Sequence, residues 1–145
     1  MLDCLAMSEK PGRSDVELLL KILELFLSEP VRKARNFWRT IPAGLTFAEL
    51  TEKYPTGTEG SEHIDTVLAF WETVGALLKK GLLSEELAFD TFLDVPPWKK
   101  IEAAALSLRE ERGEPAELEN LEFAYHRYVD WKARPREQSG QPAPK

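Results

Sequence analysis

One cysteine, two histidines and no glycine-rich phosphate loop are what this 145-residue chain offers to covalent, metal and nucleotide chemistry. Cys4 has no second thiol to pair with, so an intrachain disulfide and a thiolate-clustered metal site are excluded, and a reducing compartment fits best. The eight glycines are scattered as caps and turns. Thr56, Gly57, Thr58, Glu59 and Gly60 come nearest to a phosphate loop, but the lysine and the preceding strand are missing, so the segment reads as an ordinary turn. Val16 to Leu27 is the most apolar stretch. Glu17, Lys21 and Glu24 interrupt it, and it is too short for a bilayer core of roughly 30 Å. The amino terminus lacks the basic start and apolar run of a signal peptide. No stretch alternates with β-branched residues. Together these absences lead us to expect a cytoplasmic protein with no membrane association.

What is present is helical. Hydrophobic residues make up 43% of the chain and include four tryptophans, enough for one domain with a sizeable core. Twenty-five acidic against nineteen basic side chains give a formal net charge of -6, which opposes general attraction to phosphate backbones and anionic lipid. Residues 1–13 read as a flexible arm, with Met1 and Met7 both possible starts. Residues 14–134 read as the helical domain, and residues 135–145, with almost nothing to bury, as a disordered tail.

Start and stop signals divide that domain. Ser14 with Glu17 has capping-box spacing and opens a helix over residues 14–28, whose face is Leu20, Leu23 and Leu27. Ser28, Glu29 and Pro30 reset the chain for a basic helix carrying Val31, Ala34, Phe37 and Trp38 and ending before Pro42. Thr46 and Glu49 repeat the capping-box spacing for a short helix through Tyr54. A long helix then begins near Ser61, with Val67, Leu68, Phe70, Trp71, Val74, Leu77 and Leu78 on a broad apolar face. Gly81 stands where a left-handed C-cap belongs, after Lys79 and Lys80 in the last turn. Ser84, Glu85 and Glu86 open a short helix with Leu87, Phe89 and Phe92. Pro96 and Pro97 precede a helix with Trp98, Ile101, Ala105 and Leu108, closed by Gly113. Pro115 opens the last helix, with Leu118, Leu121, Tyr125, Tyr128 and Trp131, and Pro135 stops it. The fold class is all-α, a compact single-domain bundle of six to seven helices.

Candidate sites are few. Glu122, His126 and Asp130 project from one face of the last helix, where an imidazole between carboxylates can bind a divalent metal or relay a proton. The plainer reading is a solvated face with ordinary helical pairs, since a di-metal bundle needs ligands from several helices. His63, beside Glu62 and Asp65, sits in a first turn where the acids answer the helix dipole. Glu72 lies at the core edge, either as an acid or base with a raised pKa or as a carboxylate paired to Arg35 or Arg39; the pair is the expectation. Arg32, Lys33, Arg35 and Arg39 read as a solvated face more readily than a phosphate contact. The run from Thr46 to Leu83 has the order of a winged helix, but Ser84 onward reads as helix where a wing should follow. The tryptophans read as core fillers. We therefore expect no catalytic, cofactor-binding or metal-ligating residue.

Phe70, Trp71, Glu72, Gly75, Leu77, Lys80, Gly81, Leu82, Leu83, Ser84, Glu85, Glu86 and Leu87, followed by Phe89, Asp90, Phe92, Trp98, Glu122 and Phe123, form a combined pattern. It resembles the bacterial domain of unknown function 4760 family over most of the chain between about Ser14 and Trp131. The resemblance implies a small helical domain and transfers no catalytic residues. Some relatives carry an amino-terminal membrane segment, which the reading of this sequence does not lead us to expect here. The expected function is a non-enzymatic binding or regulatory module acting on a protein partner or by self-association. The alternatives are a nucleic-acid-associated accessory factor in regulation or phage defence, and a metal-dependent enzyme centred on His126.

Overall fold

The computed structural model describes residues 11–91 and 94–135. Among these residues are seven helices and no strand: α1 (Arg13–Phe26), α2 (Glu29–Trp38), α3 (Phe47–Lys53), α4 (Glu59–Lys79), α5 (Glu85–Thr91), α6 (Trp98–Arg112) and α7 (Glu119–Ala133). None is long and apolar enough to cross a membrane. Met1, Cys4, Met7, Phe92 and the tail from Arg136 lie outside the described residues, with the expectations attached to them.

Local signals set most boundaries. Thr46 Oγ1 accepts the Glu49 N–H at 3.2 Å while the Glu49 carboxylate accepts the Thr46 N–H at 3.0 Å, so both halves of the capping box form. At the end of α4, Gly81 N–H donates to Leu78 O and Leu82 N–H to Leu77 O, with Gly81 at φ 71°. That is a Schellman motif, and it needs the left-handed residue the sequence supplies. Ser84 Oγ accepts the Leu87 N–H at 3.2 Å and starts α5 where a winged helix would carry its wing.

Three expected starts move. α1 begins one residue before Ser14 and is capped from Gly12, whose N–H donates to Asp15 Oδ2 at 2.8 Å; Glu17 pairs with Arg13 instead of capping. α4 starts at Glu59 because Thr58 Oγ1, not Ser61, serves as the N-cap. The last helix starts at Glu119 rather than Pro115. Residues 115–118 turn, and Leu118 takes a left-handed φ of 57°. Arg109 Nε holds this turn by donating to Glu117 O at 2.8 Å, so a contact from α6 overrides the local helix signal of Pro115.

α4 is the central helix and packs mainly on α7 and α2, while α6 meets α3 and α7, and α5 meets α1 and α7. One core cluster joins Leu19, Ile22 and Phe26 of α1 to Phe70, Trp71 and Val74 of α4 and to Trp98, Leu121 and Trp131. All four tryptophans are buried. Each such ring removes about 150–250 Å² from water, so the four together are worth several kcal/mol apiece at ~25 cal/mol per Å². That burial makes them core fillers.

Candidate functional site

A groove opens where α2 and α4 meet the segment from Asp94 to Pro97 and the first turn of α6. Its volume is about 560 Å³. Pockets of about 300–1,000 Å³ are the usual size for small ligands and short anchoring segments. The aromatic and apolar lining comes from Trp38, Val67, Trp71, Pro96 and Tyr125, and Val95 stands at the rim, 48% exposed. The charged lining is Arg35, Arg39, Lys99 and Lys100 against one carboxylate, Asp94.

The helices place these cations in different states. Arg35 is held in the wall, with its side chain only 16% exposed. Its guanidinium lies 3.8 Å from the centre of the Phe26 ring, donates to Asp94 Oδ2 at 3.2 Å and to Phe26 O at 3.3 Å, and keeps a buried Nε–H without an acceptor. The expected solvated basic face is therefore corrected at Arg35, which packing of α2 against α1 turns inward. Arg39 stays exposed. Lys100 donates to Trp38 O at 2.8 Å, and burial lowers its pKa. Lys99 and Lys100 occupy the first turn of α6, which contains no acidic residue and has no side-chain N-cap. Cations there oppose the helix dipole; Lys99 is answered by Glu102 at 3.4 Å on its own helix, whereas Lys100 pairs with no carboxylate among the described residues.

The sequence missed Lys99 and Lys100 as site residues. A usable signal was present: two lysines directly after Pro96, Pro97 and Trp98 put positive charge at a helix start, against the ordinary preference.

Glu72 does not face the groove. Successive helical residues point about 100° apart, so with Trp71 turned to the groove Glu72 turns to α7. The expected pair with Arg35 or Arg39 is absent; Glu72 Oε2 accepts the Leu121 N–H at 2.6 Å. Burial raises the Glu72 pKa, against the Leu121 and Asn120 amides that favour the anion. Three residues further along the helix, Gly75 reaches the same contact: a Cβ there would lie 2.0 Å from Asn120 O. Glu72 and Gly75 together let the start of α7 approach α4, which gives the Glu-x-x-Gly pattern a structural meaning.

On the face carrying Glu122, His126 and Asp130, both carboxylates are engaged by arginines. Glu122 Oε1 accepts from Arg109 at 2.8 Å, Glu122 Oε2 lies 3.7 Å from His126 Nε2, and Asp130 sits 3.6 Å from Arg127. Among the described residues no group of three or more His, Cys, Asp or Glu side chains is arranged to hold a metal ion. His63 lies 3.4 Å from Glu59, one turn earlier, and stacks near Phe37 with ring centres 5.2 Å apart.

No curated protein and no solved structure matches the chain. The family model of a domain of unknown function, DUF4760, matches residues 14–128, which spans α4, the Gly81 turn, α5, the groove and most of α7, and the chain belongs to that family.

Proposed function

We propose that the chain is a non-enzymatic helical binding module and that its ligand is a partner protein seated in the groove. The observation that carries this reading is the lining itself: cations on an aromatic floor with a half-exposed valine at the rim. Such a surface supplies recognition by charge and shape. His63 and His126 lie outside it, and Asp94, the carboxylate of its wall, is engaged by Arg35, so no lining pair is arranged as acid and base. A cytoplasmic setting fits a chain with one cysteine.

A photo-crosslinking residue at Val95, on the groove rim, tests the reading in extracts of the native host. Capture of a protein from Val95, and none from the exposed position Leu106 outside the groove, is the expected result. Equal capture from both positions, or none from either, rejects it.

A further inference from the structure

The groove's wall contains a model of what the groove can hold. Asp94 Oδ2 sits 3.2 Å from Arg35 Nη1, with the aspartate side chain 39% exposed, so the carboxylate is reached from solvent. Arg39 has an amide partner in its own helix, Asn36, at 3.5 Å, and Lys100 is bonded to a backbone carbonyl. No carboxylate among the described residues pairs with Arg39 or Lys100. The lining thus carries a local positive excess in a chain whose formal net charge is -6.

Resting on the reading of the groove as the ligand site, we propose that its occupant is an acidic segment of a partner polypeptide. The segment's carboxylates take Arg39 and Lys100 and compete with Asp94 for Arg35. Charge complementarity selects the class. A short acidic segment feels mainly the cations within a screening length of about 8–10 Å, whereas a polyphosphate strand would run on over the acidic remainder of the surface. Val95 and Tyr125 provide apolar contact for side chains between the acids, which a bare phosphate would leave unused. Asp94 then acts as an internal competitor whose removal frees Arg35.

The test titrates fluorescein-labelled decaglutamate into the full chain. Binding is expected to be saturable and to weaken as salt rises. Arg39→Glu should weaken it about tenfold or more, as reversal of a facing charge does, and the side chain is exposed, so the fold tolerates the change. Asp94→Asn should tighten it by roughly threefold or more on the same grounds. Equal binding by the charge-reversed chain, equally tight binding of decaglutamine, or weaker binding by Asp94→Asn overturns the proposal. Displacement of the peptide by a lower concentration of oligothymidylate also overturns it, in favour of a phosphate-bearing occupant. If Val95 still captures a protein and decaglutamate does not compete with that capture, the acidic occupant is rejected while the binding-module reading survives.

Discussion

Glu72, in the middle of α4, caps the amino terminus of α7 by accepting the Leu121 N–H at 2.6 Å across 49 residues of sequence. The residue at the local N-cap position is Leu118, which has no side-chain acceptor to offer. A carboxylate at a helix start also meets the positive end of the dipole, so one side chain satisfies donors and completes the electrostatics of another helix.

Removal of that cap should be measurable. Glu72→Ala is expected to lower stability by about 1 kcal/mol, within the usual range for loss of an N-cap acceptor. Glu72→Gln should cost less, because its amide oxygen can still accept from Leu121. Urea unfolding of the two variants checks this, and equal stability of Glu72→Ala and the parent would reject the capping role.

The same group gives a pH dependence with a defined sign. Burial holds the folded pKa of Glu72 above its ordinary value of 4.5, so in the window above 4.5 the folded state keeps a proton the unfolded chain has released. Its contribution is therefore greatest at low pH and is lost as pH rises through the folded pKa. Relative to Glu72→Gln, which does not titrate there, the parent should lose stability upward from about pH 4.5 and then level off. Paired melts across that range decide it; a parent that gains on the variant with rising pH would mean the amides outweigh burial.

Gly75 is expected to be intolerant for steric reasons. Gly75→Ala would place a methyl group 2.0 Å from Asn120 O, a backbone atom, so α4 and α7 must separate. Forced overpacking of this kind typically costs about 1–3 kcal/mol. Chemical denaturation reads the loss, and a change below about 0.5 kcal/mol, the range of a neutral surface substitution, would show that the interface yields freely.

Gly81 should fail for a different reason. Nothing lies within 4 Å of a Cβ built there, so the cost of Gly81→Val is that of a β-branched residue held at φ 71°. A loss of about 1 kcal/mol or more is expected, and Gly81→Asn, whose side chain tolerates the left-handed region, should recover part of it. Thermal melts that rank Val and Asn equally would place the effect outside the backbone.

The contrast between these two glycines marks what each level of information decides. Gly81 follows Lys79 and Lys80 at the end of an apolar helical face, and its N–H and that of Leu82 reach only Leu78 and Leu77, so its role could be read from its neighbours. The same holds for Thr46 with Glu49 and for Ser84 with Leu87, because caps satisfy donors three residues away. Helical periodicity likewise placed Trp38, Trp71, Trp98 and Trp131 inside. Gly75 has no such local sign. Its small size is required by Asn120, and only the packing of α4 on α7 brings them together.

Tertiary structure alone also decided the partners of charge. Glu72 goes to Leu121, Arg35 to Asp94 across 59 residues and Lys100 to Trp38 across 62. Spacing along one helix fixes which residues share a face, but not which face of another helix will meet it. Apolar burial sets that choice, because the broad face of α4 must cover both α2 and α7. The charged residues at the edges of those faces then pair with whatever the packing brings, which is why the sequence revealed the bundle and the caps at Thr46, Gly81 and Ser84, while the cap of α7 and the groove emerged from the assembled helices.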